Sequence, residues 1–145
     1  TFTPGGAPPR PPMERAARLA RLEALLHELS TLVRQSAESK NTALLEVSAE
    51  AARLLGGGRV TMCKSGKDRT SMGVTLEHGR LLQGYHGLHA AHLSEAVQAM
   101  RRRGVRRENV RLNTGKRLYA FNFLQQNFLP EAYRPPEGSA KGGKA

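Results

Sequence analysis

The chain has 145 residues, a formal net charge of +11, and 39% apolar residues against 24% charged ones. This length fits one domain with a modest core. The mean hydropathy of −0.50 and the absence of any apolar run near the roughly 20 residues of a membrane span exclude a transmembrane protein. The single cysteine, Cys63, excludes an intrachain disulfide framework, and no secretory signal is recognisable, so we expect a cytoplasmic protein.

Two helices are predicted in the first part of the chain, after a proline-rich segment over residues 1–12 that is expected to be a disordered linker. Residues 13–35 have apolar side chains at intervals of three and four, which is typical of a helix with one buried face. The side chains expected on that face are Leu19, Leu22, Leu26, Leu29 and Val33. A second helix is predicted over residues 42–55, and the glycines at 56–58 end it. Its expected inward residues are Leu44, Val47, Ala51 and Leu55.

Residues 59–62 (RVTM) are predicted as one buried strand because the segment is short and partly β-branched. Three more helices are predicted, starting at Asp68 or Arg69 and running to Tyr85, then over 90–103 and 117–129. Their expected inward residues are Met72, Leu76 and Leu82, then Leu93, Val97 and Met100, then Tyr119, Phe121, Phe123 and Phe128. The result is an α/β class that is mostly helical, with a flexible tail over 139–145. A lone strand cannot form a sheet, so either the strand is misassigned or its partners lie outside this chain.

The segment CKSGKDRT, residues 63–70, has the composition of an anion-binding loop between a strand and a helix. Loop amides and a helix N-terminus together concentrate partial positive charge, which favours the thiolate form of Cys63. Arg69 follows six positions later and suits the clamping of two phosphate oxygens, while Gly66 allows a close turn around the anion. The pattern predicts thiolate attack on a phosphate monoester through a phosphocysteine intermediate, with no metal and no other cofactor.

This loop resembles the active-site loop of cysteine-dependent phosphoinositide phosphatases, in particular the inositol polyphosphate 4-phosphatases of types I and II, whose motif usually reads CKSAKDRT. Five other segments look like the C-terminal region of those enzymes: SKN at 39–41, SMGVTLE at 71–77, RRENV at 106–110, YAFN at 119–122 and YRPPEG at 133–138. The resemblance implies that residues 13–138 are the C-terminal catalytic region of a Cys-x5-Arg phosphatase fold. It also implies removal of the 4-phosphate of phosphatidylinositol 3,4-bisphosphate and of related inositol polyphosphates.

The resemblance assigns a role to each residue of the loop. Cys63 is implied to be the nucleophile and Arg69 the phosphate clamp. Residues implied to contact the substrate are Lys64, Ser65, Gly66, Lys67 and Thr70, with the two lysines holding the neighbouring ring phosphate and Thr70 hydrogen-bonding the departing thiolate.

The leaving group needs a general acid, and the chain has no aspartate before Asp68. The acid is therefore either Asp68 itself or a residue outside this chain, and we favour Asp68. Its other interpretation is a helix N-cap, which is compatible with the first.

Residues 101–117 carry eight positive charges and one negative charge. We predict that they contact an anionic membrane, to which the protein is recruited peripherally; a solvated helix face is the alternative. Nucleic acid is not expected as a partner because aromatic side chains for base stacking are absent from this stretch. A basic helical fragment that binds anionic lipid or nucleic acid without catalysis remains the alternative function. His89 and His92 have a spacing compatible with a metal, but no cysteine or carboxylate was identified to complete a site, and no metal is predicted.

Overall fold

The computed structural model describes residues 12–36, 41–64 and 67–141, and the chain divides into two compact units, Thr1–Arg59 and Val60–Ala145. Most of the predicted linker and the last four residues of the predicted tail lie outside the described residues. The described helices are α1 (Pro12–Gln35), α2 (Ala43–Leu54), α3 (Asp68–Tyr85), α4 (Leu93–Arg103), α5 (Val105–Thr114) and α6 (Phe123–Phe128). Two short 3-10 helices span Ala90–His92 and Glu131–Tyr133.

The first unit is built on α1 and α2, as the sequence predicts. Its buried residues are Leu25, Val47 and Ala51, against which Leu22, Leu29, Leu32 and Leu54 pack. An ion pair of 2.8 Å between Arg21 and Glu50 joins the two helices at the surface. The Nε of Arg18 donates to the carbonyl oxygen of Leu54 at 2.7 Å, which satisfies a carbonyl that the end of α2 leaves without a helical partner.

The predicted buried face of α1 is partly wrong. Leu25 is the buried residue of this helix, whereas Leu19, Leu26 and Val33 are 56%, 48% and 58% exposed. Leu22, Leu25, Leu29 and Leu32 also recur at intervals of three and four. Two overlapping leucine stripes therefore satisfy the same periodicity, and only packing against α2 decides between them.

The second unit has its core between α3, α4 and the segment that follows α5. Its buried apolar residues are Met72, Leu76, Val97, Tyr119, Phe121, Tyr133 and Ala140. The expected inward face of the fourth helix is confirmed, since Val97 is buried and both Leu93 and Met100 pack against this core. Leu82 of α3, which was expected to face inward, is 39% exposed.

A buried arginine lies in the second unit. Arg101 of α4 is 1% exposed. Its guanidinium donates to the carbonyl oxygens of Met72, Ala132 and Arg134 at 2.8, 2.7 and 3.0 Å, and to Oγ1 of Thr75 at 2.9 Å. Burial lowers the pKa of Arg101 to about 10. Arg101 thus ties α4 to α3 and to the 3-10 helix Glu131–Tyr133, and it is not available to the basic surface predicted over 101–117.

The predicted α/β class is wrong for the described residues, which contain helices and no strand. Residues 59–62, the predicted strand, have no regular structure, and Val60 and Met62 are 87% and 76% exposed. Across the described ranges, the β-type pairing is a single isolated parallel bridge between Tyr119 and Ala140. A strand has no stability without a neighbour that pairs with its backbone, and the described residues offer these four residues none.

The C-terminal helices also differ from the prediction. Helix α5 lies within the basic stretch 101–117 and between the helices predicted over 90–103 and 117–129, and Gly115 ends it with a positive φ of 73°. The helix predicted over 117–129 is shortened to α6, because residues 117–122 are extended and bury Tyr119 and Phe121. Ser139 and Ala140, placed in the flexible tail by the sequence, are buried beside Tyr119, whose amide donates to the carbonyl oxygen of Ser139 at 2.8 Å.

Candidate functional site

The start of α3 carries the predicted anion-binding residues. The helix begins at Asp68, as expected, and Lys67 is its N-cap residue without a side-chain capping bond. Lys64, Lys67 and Arg69 are exposed, and all three lie in the sequence within four residues of Asp68, the first residue of a helix whose N-terminal amides carry partial positive charge. Ser65 and Gly66 lie outside the described residues.

Cys63 and Thr70 bring the two ends of the loop together. The backbone amide of Cys63 donates a hydrogen bond of 2.8 Å to Oγ1 of Thr70, one turn inside α3, and both residues are half-buried. This contact holds the nucleophile candidate beside the first turn of the helix. The resemblance implies that Thr70 hydrogen-bonds the thiolate of Cys63. In the structure, the Thr70 hydroxyl instead accepts a hydrogen bond from the backbone amide of Cys63.

Asp68 is engaged on both of its carboxylate oxygens by residues from later in the chain. Oδ2 accepts a hydrogen bond of 3.1 Å from the amide of Ala120, and Oδ1 lies 3.6 Å from the guanidinium of Arg106. The side chain is 13% exposed, and within the described residues Oδ1 has an ion pair but no hydrogen bond. Asp68 is the first residue of α3 rather than its N-cap, so the N-cap interpretation is wrong.

Arg106 and Ala120 are the site neighbours that sequence reasoning missed. Arg106 lies in the first turn of α5 and Ala120 in the extended segment before α6, 38 and 52 residues after Asp68. Both fall in segments that carry the family resemblance, RRENV and YAFN. Those two motifs were therefore a signal for proximity to the loop, although nothing in their spacing states it.

Several charges of the basic stretch 101–117 are committed to partners within it. Glu108 pairs with Arg111 at 2.6 Å and with Arg117 at 2.8 Å. The hydrogen bond from Arg111 is the main cause of the lowered pKa of Glu108. Arg107 donates from Nε to the carbonyl oxygen of Arg117 at 2.9 Å. Together with the burial of Arg101, these contacts leave a surface less basic than the composition suggests.

The histidines serve local structure. The Nδ1 of His89 accepts from the amide of Ala91 at 3.3 Å at the start of the 3-10 helix, and Nδ1 of His92 lies 3.6 Å from the carboxylate of Glu95. In the described part of the chain, no three side chains of the types His, Cys, Asp and Glu are grouped as a metal would require. Nor does any helix of that part have the length and apolar character needed to cross a membrane.

The start of α3 thus has a cysteine and an arginine six positions apart, with lysines at positions 64 and 67 between them. The family described as the INPP4A C-terminal domain matches residues 9–133, and the chain belongs to this family. This confirms the resemblance on which the sequence analysis relied.

Three relatives illustrate the family. Human inositol polyphosphate 4-phosphatase type II is 48% identical over 118 residues, and the rat (Rattus norvegicus) type II inositol 3,4-bisphosphate 4-phosphatase is 46% identical over the same length. Each match covers 81% of this chain and 13% of the relative, so the chain spans about an eighth of the phosphatases it resembles. The human phosphatidylinositol 3,4,5-trisphosphate-dependent Rac exchanger 2 protein is 36% identical over 105 residues, which is 63% of this chain and 6% of that protein. No solved structure matches.

Proposed function

We propose that the chain carries the catalytic loop of a phosphoinositide phosphatase that acts without a metal and removes the 4-phosphate of phosphatidylinositol 3,4-bisphosphate. The observation that carries the proposal is the hydrogen bond from the Cys63 amide to Thr70, which sets the cysteine at the N-terminus of α3. The names of the type II relatives, which specify an inositol 3,4-bisphosphate 4-phosphatase, support the choice of substrate.

In the first step, the Cys63 sulfur attacks the phosphorus of the 4-phosphate. An S–P bond forms, the bond from phosphorus to the inositol oxygen breaks, and the electron pair of that bond stays with the oxygen. Arg69 binds two non-bridging oxygens of the transferring group, and the amides at the start of α3 stabilise its charge. Asp68 donates the proton that the inositol oxygen requires.

In the second step, water attacks the phosphocysteine. The P–S bond breaks, its electron pair returns to sulfur as thiolate, and Asp68 takes the proton that the water loses. A threonine hydroxyl can accept one hydrogen bond and donate another. Thr70 accepts from the Cys63 amide and keeps its own hydrogen for the leaving sulfur.

The arrangement of Asp68 supports its role as the acid. Its Oδ2 is fixed by the amide of Ala120, while Oδ1 is the oxygen left to exchange a proton. Arg106, at 3.6 Å from Oδ1, holds the carboxyl group in one orientation. Lys64 and Lys67 are exposed beside the loop and suit the 3-phosphate of the same ring.

The experiment is phosphate release in EDTA from soluble inositol 3,4-bisphosphate and from vesicles containing phosphatidylinositol 3,4-bisphosphate. Cys63→Ser should abolish release, and Arg69→Lys should lower kcat by about 100-fold or more because lysine cannot clamp two oxygens. Arg103→Lys, at an exposed position of α4, is the matched control and should retain full activity. Equal activity in Cys63→Ser and the unaltered chain would overturn the cysteine mechanism.

A second function is favoured by the match to the Rac exchanger, whose name describes dependence on phosphatidylinositol 3,4,5-trisphosphate and not hydrolysis. In that case the same loop would bind a phosphoinositide headgroup without cleaving it. Saturable binding of inositol 3,4-bisphosphate that survives Cys63→Ser, with no phosphate released by the unaltered chain, would favour this function over catalysis.

A further inference from the structure

Helix α6 presents three large apolar side chains to the outside. Phe123, Leu124 and Phe128 are 60%, 64% and 86% exposed. At 100° per residue, the three side chains fall within an arc of about 140°, so they share one side of the helix. We call these three side chains the apolar face of α6. Clustered exposed apolar side chains mark contact sites more often than isolated ones do.

The backbone under this face is fixed by hydrogen bonds. A helix of six residues is too short to persist on its own propensity. At its start, Asn122 and Gln125 form a reciprocal capping box, with bonds of 2.8 and 3.1 Å. At its end, Arg134 donates from Nε to the carbonyl oxygen of Leu129 at 2.8 Å. Hydrogen bonds at both ends therefore fix the helix that exposes these three apolar side chains, and none of the three packs in the core.

The face is adjacent in the chain to the proposed catalytic loop. Ala120, whose amide bonds Asp68, lies three residues before Phe123. Exposed cations lie on both sides of α6 in the sequence, Lys116 and Arg117 before it and Arg134 after it, and Arg117 pairs with Glu108 at 2.8 Å. Between residues 116 and 134 the one acidic residue is Glu131. Exposed aromatic and leucine side chains bordered by lysine and arginine are the composition of surfaces that dock on anionic bilayers.

We propose that the apolar face of α6 inserts between the headgroups of an anionic membrane and thereby holds the loop of residues 63–70 at the lipid surface. The orientation toward substrate rests on the proposed function; the insertion itself does not. A second protein copy is a poor occupant, because three side chains provide much less than the roughly 800 Å² per partner of a stable interface. The net charge of +11 also repels a second copy and attracts an anionic bilayer.

The test compares two large side chains of similar exposure in the same unit, Leu124 in the face and Tyr85 at the end of α3, at 64% and 66%. The full chain, Leu124→Ser, Phe128→Ser and Tyr85→Ser are sedimented with phosphatidylcholine vesicles with and without phosphatidylserine. The Leu124→Ser and Phe128→Ser variants should weaken binding to the serine-containing vesicles by about 5- to 10-fold, the effect of withdrawing one large side chain from an apolar contact. Tyr85→Ser should bind as the unaltered chain does.

Hydrolysis of soluble inositol 3,4-bisphosphate separates this inference from the proposed function. Leu124→Ser should keep the soluble rate and lose rate only on vesicles. If no phosphate is released from either substrate but Leu124→Ser still weakens vesicle binding, the membrane face stands and the catalytic proposal fails. Equal vesicle binding by Leu124→Ser and Tyr85→Ser would overturn the membrane face, as would self-association in analytical ultracentrifugation that Phe128→Ser removes without affecting vesicle binding.

Discussion

The phenolic hydroxyl of Tyr119 donates a hydrogen bond of 2.7 Å to the backbone carbonyl of Arg101. Both residues are 1% exposed. The backbone of Arg101 therefore binds the extended segment after α5, while its guanidinium binds α3 and the 3-10 helix after α6. Because Ala120, next to Tyr119, contacts Asp68, this buried arrangement also positions the neighbours of the proposed site.

Replacing Arg101 should be the most destabilising single change in the second unit. Arg101→Met removes a buried guanidinium that donates to three backbone carbonyls and to Oγ1 of Thr75. Hydrogen bonds to a charged group contribute roughly 1.5–3 kcal/mol each, so we expect a loss of about 3–5 kcal/mol in the free energy of unfolding. Urea unfolding measures it. Arg102→Met, at the exposed position next to it, should stay within about 0.5 kcal/mol, and similar losses for the two variants would refute the structural role.

Tyr119 should make the free energy of unfolding depend on pH in the alkaline range. Burial, partly offset by the hydrogen bond with Ser71, raises its pKa above the ordinary value of 10.0. Above pH 10 the unfolded chain loses the phenolic proton while the folded chain keeps it, so the stabilising contribution is complete below pH 10 and declines as the pH rises through the raised folded value. The free energy of unfolding should therefore fall between pH 8 and about 10.5.

The comparison that isolates this effect is urea unfolding of the unaltered chain and of Tyr119→Phe at both pH values. The variant should be less stable at pH 8 by about 1 kcal/mol, the contribution of one hydrogen bond. The difference in free energy of unfolding between the unaltered chain and the variant should be smaller at the higher pH, because phenylalanine has no proton to lose. If this difference is the same at both pH values, Tyr119 is not the titrating group.

Two glycines of α3 should respond to alanine in opposite directions. A Cβ on Gly79 would lie 2.6 Å from Cγ2 of Val97 and 2.9 Å from Cδ1 of Leu93, both on or at the start of α4. Gly79→Ala should therefore destabilise the unit by about 1–3 kcal/mol. Gly84, in the same helix, has nothing within 4 Å of its Cβ position, and Gly84→Ala should stabilise by about 0.5 kcal/mol through helix propensity. Thermal unfolding distinguishes the two signs.

The sequence predicts long periodic helices well and their faces less well. Helix α3 begins and ends where the pattern places it, because Asp68 starts it and Gly84 and His86 lie at its end. In α1, by contrast, Leu22 and Leu29 belong to both leucine stripes, so periodicity alone cannot choose Leu25 over Leu26. The choice is made by α2, a tertiary contact that no local pattern contains.

The core and site features that the sequence does not predict depend on contacts between residues far apart in the chain. Arg101 follows Val97 by four positions and so lies on the inward face of α4. Because it is charged, the sequence alone predicts that it is exposed. Tyr119 and Phe121 were correctly expected to be buried, whereas Phe123 and Phe128, expected in the same core, are exposed. The two buried rings reach the core from a segment with alternate residues inward rather than from a helix. Cys63 and Arg69 could be named from the motif, whereas Arg106 and Ala120, which contact Asp68, could not.

Thr70 should contribute to catalysis through its hydroxyl group, which a serine at the same position would also have. Thr70→Val removes the acceptor of the Cys63 amide and should lower kcat by about 10- to 100-fold, since a displaced nucleophile loses its alignment. Thr70→Ser keeps the acceptor and should remain within about threefold of the unaltered chain, a change worth well under 1 kcal/mol. A larger loss in Thr70→Ser than in Thr70→Val would assign the effect to packing of the methyl group, which valine keeps and serine lacks.

The role of Asp68 can be tested by changing the leaving group. An inositol alkoxide needs a proton as it departs, whereas an aryl phosphate such as p-nitrophenyl phosphate releases a stable phenolate. If Asp68 is the acid, Asp68→Asn should slow hydrolysis of inositol 3,4-bisphosphate by about 100-fold or more and affect the aryl phosphate by less than about tenfold. Asparagine keeps an oxygen that can accept from the Ala120 amide, so the fold of the neighbouring segment is retained.

Arg106→Gln distinguishes the acid from the residue that orients it. Removing the guanidinium 3.6 Å from Oδ1 leaves the proton donor in place but frees its orientation. The rate on inositol 3,4-bisphosphate should fall by about 10-fold, whereas Asp68→Asn should lower it by about 100-fold or more. If Asp68→Asn instead slows hydrolysis of inositol 3,4-bisphosphate and of the aryl phosphate equally, the contacts with Ala120 and Arg106 make Asp68 an anchor for α3, and the proton must come from another residue.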